Sequence, residues 1–460
     1  MILLGLLLSF ILGLTVLLAI SSKFRLLEYI FLSFPIGIGF QTFLMMLLDW
    51  FNLGISRMGI TSFSFLLIAA LGILAYKKIR NDSSFAQRLD LKSWVLPKPN
   101  LVWILFIGLI VWFEWMNFYK TVYLPTFDTD SIRGFDFLAR AMSIEGTLKG
   151  VSLITNPNYP FQGDAGLSSY APFAQFAYTY AYLFGAISSK IINALLFLNF
   201  LGIFYAMLTR ITTHTAAAFF TFMMMITPEM LAFSALSGIN VLHTVYAASG
   251  LLYTVLWFQK KDQSLLILAA ILLSLNCFTR NEGIVFSGIA FLLVCFKLFK
   301  KEISWKSVLL FFGIAFFGFI YWNLFLKANQ IHSGSSLIIL KPFWDAEKAS
   351  TIFREVKLLF LNTQYYGISI LLFGLLILVN LWNIIKKGDQ LPLLFATLGV
   401  ILLYSLLIYQ INYVFDRIEN VLMFSYKRFI FSFIPLFWFY IATNKSVLWL
   451  TSKGDKLLYK

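Results

Sequence analysis

Charge is scarce in this chain, and cysteine and histidine are scarcer still. Charged residues make up 12% of its 460 positions, while 60% are hydrophobic and mean hydropathy is +0.82. Soluble proteins carry about 25% charged residues, so an ordinary soluble enzyme is excluded. The two cysteines, Cys277 and Cys295, both stand in apolar runs and offer neither a disulfide framework nor a zinc spacing. His214, His243 and His332 are scattered without metal-ligand spacing. There is no Walker A loop, no G-x-G-x-x-G and no G-x-S-x-G, and neither an internal repeat nor a low-complexity tract.

What the chain has is long apolar runs. They lie near 1–20, 28–50, 58–76, 101–119, 172–187, 190–208, 215–235, 240–257, 264–279, 283–297, 306–326, 366–385, 391–410 and 428–443. A span needs about 20 apolar residues. The expectation is an all-α polytopic membrane protein with about 13 transmembrane helices. Residues 1–20 have no basic segment before them and no small-residue cleavage pattern after them, which fits a retained first span with an outside N-terminus.

The net charge of +15, from 36 Lys and Arg against 21 Asp and Glu, fits lysines of cytoplasmic loops rather than nucleic-acid binding. Lys77, Lys78, Arg80, Arg88, Lys92 and Lys98 mark 77–100 as a cytoplasmic loop after a three-helix segment at 1–76. Lys260, Lys261, Lys297, Lys300, Lys301, Lys306, Lys386, Lys387 and the basic tail 444–460 orient the remainder, 101–443, in the same sense. Loops 120–170, 327–365 and 411–427 then lie outside. Passing from an outer loop at 170 to an inner one at 260 takes an odd number of crossings, yet four runs intervene. One of them must be re-entrant, half-length or fused, with Pro172, Pro228 and Gly238 as break points.

The outer loops carry more base than outer loops should. Lys120, Arg133, Arg140 and Lys149 lie in the first, Lys327, Lys341, Lys348, Arg354 and Lys357 in the second, and Arg417, Lys427 and Arg428 in or beside the third. Such residues either snorkel to lipid headgroups or converge on a phosphate-bearing substrate. In the first loop Ile132, Phe135, Ala139 and Met142 recur at helical spacing, with Asp136 and Arg140 an i,i+4 pair, so Ser131–Ile144 is expected as an amphipathic interfacial helix. Asp128 and Asp130 precede it. Asp130 suits a helix N-cap; equally, a carboxylate there suits removing a proton from an acceptor hydroxyl, and the D-x-D pair suits a divalent cation. Tyr170 and Ala171 lead into Pro172 and an aromatic run with Tyr178, Tyr180 and Tyr182, which also fits an interfacial belt. Arg280 and Glu282, in Thr279-Arg280-Asn281-Glu282-Gly283 between two runs, make either a structural pair or a phosphate site. Glu114 and Glu229 stand inside apolar runs, as packing or cavity groups.

In this order the pieces resemble the GT-C superfamily of membrane glycosyltransferases, which includes protein O-mannosyltransferases and the lipid A aminoarabinose transferase. The resemblance covers about 101–440. It rests on the acids Asp128 and Asp130 before DFLARAM, the helix start YAPFAQFAYTYAYLFG, the TRNEG turn and the late KRFIFSFIPL stretch. The chain departs from the family in having three extra spans at 1–76 and Ala171-Pro172 where Pro-Pro is usual. The resemblance implies transfer of a sugar from a polyprenyl-phosphate donor to a hydroxyl of a glycan, lipid or protein acceptor, at the extracytoplasmic face of a bacterial inner membrane and with inversion. It implies Asp130 as base, with Asp128 supporting it or sharing a divalent cation. Arg280 and Arg428 would bind phosphate, with Lys427 or a lysine of 327–365 helping, and Arg133, Glu282 and Tyr170 would also bind substrate. The alternatives are an O-antigen polymerase or ligase, in which an arginine-dominated loop replaces the acid, and a multispan transporter or flippase, with charges facing a central path.

Overall fold

A computed structural model describes residues 1–21, 23–82, 85, 100–126, 130–155, 170–234, 236–330, 344–388, 390–410 and 417–458. Asp128, Lys341, His332 and most of the basic loop 77–100 lie outside the described residues, as does the side chain of Arg133. Among the described residues all regular structure is helical.

Eight helices are long and apolar enough to cross a membrane: α1 (Ile2–Ile20), α2 (Leu26–Trp50), α3 (Arg57–Arg80), α4 (Leu101–Tyr123), α7 (Ile191–Leu208), α10 (Ile239–Lys260), α16 (Ser369–Lys387) and α17 (Leu391–Gln410). Between α4 and α7 lie two shorter helices, α5 (Asp136–Glu145) and α6 (Phe173–Leu183). Three bent pairs pass the same length and composition test together. They are α8 (His214–Met225) with α9 (Pro228–Ser234), α13 (Trp305–Ala315) with α14 (Phe317–Ala328), and the stretch Ile418–Phe431, whose last turn is α18 (Lys427–Phe431), with α19 (Ile434–Thr443). Two shorter apolar helices, α11 (Gln263–Thr279) and α12 (Gly283–Phe299), meet at the TRNEG turn. Helix α15 (Ala346–Leu361) and the tail helix α20 (Lys445–Leu458) are amphipathic.

Side-chain caps set several of these starts. Ser56 accepts from Gly59 N before α3, Asn100 from Trp103 N before α4, and Asp262 from Ser264 N before α11. The break at 226–227 precedes Pro228, which occupies the first position of α9 and cannot continue the hydrogen-bond ladder of α8; the two helices diverge by 72°. The run near 306–326, expected as one helix, bends by 48° around Phe316. No proline lies there. Instead the backbone of Gly318 approaches α11 so closely that a Cβ would fall 2.1 Å from the Ser274 carbonyl oxygen.

Helix α6 has eleven residues, and its two ends meet the same short segment of chain before and at the start of α5. The rings of Tyr170 and Phe135 lie 5.4 Å apart, and the Tyr182 hydroxyl donates to Asp136 at 2.5 Å. The candidate spans between 170 and 260 are α7, the bent α8–α9 pair and α10.

The ends of α10 and α12 are tied through one acid. Glu302 joins Lys261 at 2.9 Å and Lys297 at 2.8 Å, tying the end of α10 to that of α12. Hydrogen bonds from both lysines draw its carboxyl down to about 2. A depressed carboxyl contributes above its unfolded value of about 4.3 and loses its contribution as pH falls through the folded one, so this tie is complete at neutral pH. Nearby, Arg210 grips Glu28 with two bonds, Nε–Oε1 at 2.8 Å and Nη2–Oε2 at 2.5 Å, and Tyr253 donates to the same carboxylate at 3.0 Å. Glu28 is fully buried. Breaking such a pair strands a buried charge, whereas replacing both partners by apolar groups is often neutral. We expect Arg210→Ala to lower stability by about 3–5 kcal/mol. The double variant Glu28→Leu/Arg210→Met should recover most of that loss in thermal unfolding of detergent-solubilised protein.

At the other end, Asp49 holds the chain after α5, accepting from Thr147 Oγ1 at 2.6 Å and Lys149 N at 3.1 Å. Lys190 donates to the Leu124 carbonyl just past α4. The candidate site forms at this end, opposite the lysine-rich one.

Candidate active site

Asp130 was open to two readings, and the cap is not the one realised. It has right-handed helical backbone angles, leads into a π-helical turn at Ser131–Phe135, and its side chain makes no capping hydrogen bond. Its Oδ2 instead accepts from Arg428 Nη1 at 2.5 Å, across 298 residues of sequence. Arg428 is placed by α18, which continues a second π-helical turn at Leu422–Tyr426. Both partners are roughly half-exposed, with side-chain exposures of 38% and 45%. An ion pair this wet contributes about 0–1 kcal/mol, so it can be exchanged for another partner at small cost.

Arg280 is the opposite case. It follows α11, where the chain turns into α12, and is buried with a side-chain exposure of 7%. Glu282 Oε2 stands 3.6 Å from its Nε, too far for a hydrogen bond, and the Nε has no other acceptor. Nη1 reaches Asn240 Oδ1 at 3.5 Å. The guanidinium carbon lies 4.7 Å from the centre of the Phe429 ring and 6.0 Å from that of Tyr170. A buried guanidinium held chiefly by ring faces and one distant carboxylate keeps unused donor capacity.

Tyr170 is the hinge of the arrangement. Burial pushes its phenol above the ordinary value, and it also feels the fields of Arg280, Glu282, Asp130 and Arg428. Four charged groups from three distant segments therefore lie within electrostatic range of one phenol. Of these, Arg280 faces its ring, and Phe429, next to Arg428 in sequence, packs under Arg280. Behind this site, the Tyr404 hydroxyl lies 3.4 Å from the Glu282 carbonyl and 3.3 Å from His243 Nε2.

Lys427 takes a different direction from Arg428. Its Nζ meets Glu229 Oε1 on α9 at 2.6 Å and stands 3.8 Å from the centre of the Tyr365 ring. The expectation that Lys427 helps Arg428 hold phosphate thus meets a lysine already paired elsewhere. Glu114 and Glu229, indistinguishable in the sequence, also part company. Glu114 accepts from Asn117 at 3.4 Å, and Asn117 in turn accepts from Ser234 of α9 at 3.0 Å. Asp136 and Arg140 form the expected pair, at 3.4 Å, but Asp136 is buried and also accepts from Tyr182 and Ser189. Its role is to hold α5 to the start of α7.

Asp128 and the Arg133 side chain lie outside the described residues. Asp130, the other member of the D-x-D pair, is engaged by Arg428, and no group of three His, Cys, Asp or Glu side chains gathers among the described residues. The described residues thus do not fit a divalent cation, and no chemical step below is routed through one. The sequence had not singled out Tyr365, Tyr366, Asn240 or Tyr404. It had pointed to Lys427 and to Glu229, an acid following a proline inside an apolar run, but not to the tyrosines beside them.

The chain matches no protein-family model, no curated protein and no solved structure.

Proposed function

We propose that the protein is a membrane glycosyltransferase of GT-C type. It would move a sugar from a polyprenyl-phosphate donor to an acceptor hydroxyl at the extracytoplasmic face. The observation that carries this reading is the meeting of Asp130, Arg428 and Arg280 around Tyr170 at the end of the bundle away from the lysines. Counting each of the eight long helices, the three bent pairs and the two shorter apolar helices as one span gives thirteen. With thirteen, the loops marked by Lys77 and Lys78, by Lys260 and Lys261, by Lys297 to Lys306 and by Lys386 and Lys387 all face the cytoplasm under the positive-inside rule, and the site faces out. Helix α5, with its polar and apolar faces, then lies in the outer interface.

Chemically, a phosphate leaving group is stable as an anion, so departure needs cations rather than a strong acid. The unused donors of Arg280 suit the non-bridging phosphate oxygens. Arg428 joins them by exchanging Asp130 for phosphate, a trade that the wet ion pair permits at little cost. That exchange frees the carboxylate as the donor arrives. Asp130 then accepts the acceptor's hydroxyl proton while the oxygen attacks the anomeric carbon and the carbon–phosphate oxygen bond breaks. Direct attack inverts the anomeric centre. Tyr170, kept neutral by burial, lines the site without adding charge. The reading is tested by mass spectrometry of reconstituted protein given glycosylated polyprenyl phosphates and a detergent extract of envelope acceptors. Free polyprenyl phosphate should accumulate with time together with glycosylated acceptor. Carrier that stays glycosylated throughout, across the donor panel, contradicts it.

A further inference from the structure

Lys427 and Arg428 are consecutive at the start of one helix, so their side chains leave about 100° apart. Arg428 goes to Asp130, and Lys427 goes to Glu229. The Lys427 cluster is a second polar site directly beside the first. Its Glu229 side chain is 5% exposed, and only one carboxylate oxygen is used; Oε2 has no hydrogen-bond partner. The Tyr366 hydroxyl is also buried without a partner among the described residues, within electrostatic range of Glu229. Tyr365 offers an aromatic ring next to the ammonium. Buried polar atoms without partners are costly in a bundle this apolar, and they are retained where a ligand completes them.

The charge balance identifies the ligand's chemistry. Glu229 and Lys427 cancel, and Glu229 would repel a second phosphate. A free carboxylate oxygen, a free phenol hydroxyl and an aromatic ring match a group rich in hydroxyls and carrying no net negative charge. We infer that Glu229, Lys427, Tyr365 and Tyr366 form the saccharide subsite, which recognises the hydroxyls of the glycosyl group whose phosphate is held by Arg280 and Arg428. This rests on the glycosyltransferase reading and gives it a specificity determinant. A single helix start then sorts the two halves of the donor, phosphate to Arg428 and sugar to Lys427.

Tyr366→Phe is the cleanest probe, because the hydroxyl it removes has no hydrogen-bond partner among the described residues. If the cluster only braces the helices, its loss is neutral. The measurement is binding of undecaprenyl phosphate and of a panel of its hexosyl, pentosyl and aminosugar esters to purified full-length protein in nanodiscs. The wild type should favour at least one ester over bare undecaprenyl phosphate by tenfold or more. Tyr366→Phe should cut that preference about three- to tenfold, the worth of one hydrogen bond. Glu229→Gln should cut it further, and Tyr366→Phe should bind bare undecaprenyl phosphate as the wild type does. Preference unchanged in Tyr366→Phe, or no preference for any ester in the wild type, overturns the subsite. If bare undecaprenyl phosphate itself fails to bind the wild type, the phosphate site fails first and the subsite falls with it.

Discussion

Asp130→Asn should abolish most transfer while tightening the grip on the donor. The two halves of that result have separate causes. A positioned general base contributes about 10²–10⁴-fold to a rate, and an amide of the same shape cannot take the proton. Asp130 also competes with phosphate for Arg428, and the amide competes far less. Their ion pair is half-exposed and contributes about 0–1 kcal/mol, so its removal should strengthen undecaprenyl phosphate binding by up to about fivefold. Folding should change little for the same reason. Turnover measured under donor saturation and binding measured by titration in nanodiscs separate the two. Full turnover in Asp130→Asn at normal expression removes the base role, and weaker donor binding in that variant removes the proposed exchange.

The two arginines should not be equivalent. Arg280 is buried and lacks an acceptor for its Nε, so phosphate there gains charge-assisted bonds in a site shielded from water. Bonds of that kind are worth about 1.5–3 kcal/mol, and Arg280→Gln should weaken undecaprenyl phosphate binding by about 10- to 150-fold. Arg428 is wetter and gives up one partner to gain another. Arg428→Gln should therefore cost only about two- to tenfold in binding. Arg280→Gln also leaves Glu282 without its nearest cation, but Glu282 is 28% exposed and keeps contact with water. The variant should remain folded, which thermal unfolding in detergent checks. Equal losses at the two positions would mean that burial does not set the strength of the phosphate contacts.

The membrane character was legible because it is a summed property. Mean hydropathy over a window does not depend on which side chains meet. Individual elements were less so. Helix α6 is as apolar as a short span, and nothing in its aromatic sequence distinguishes crossing from lying beside α5. The bend at Phe316 has no proline to announce it; it accommodates a backbone approach by α11 that only the packed structure reveals. In the site, the residue types were readable but their partners were not. Asp130 and Arg428 are 298 residues apart, and only the family resemblance suggested that they serve one substrate. The divergence of Lys427 from Arg428 depends on helix phase at one turn. The partner of Lys427 lies on α9, whose direction is set by the bend before Pro228.

The proposed function requires Arg280 and Arg428, from distant segments, to close on one phosphate that displaces Asp130. The most direct test is equilibrium binding of undecaprenyl phosphate to the full-length protein in nanodiscs, compared across wild type, Arg280→Gln and Asp130→Asn. Saturable binding that falls at least tenfold in the first variant and rises in the second is the expected result. Binding that is the same in all three, or that neutral undecaprenol competes away as well as the phosphate does, would mean that the protein holds the lipid tail alone and that this cluster has no part in recognising phosphate.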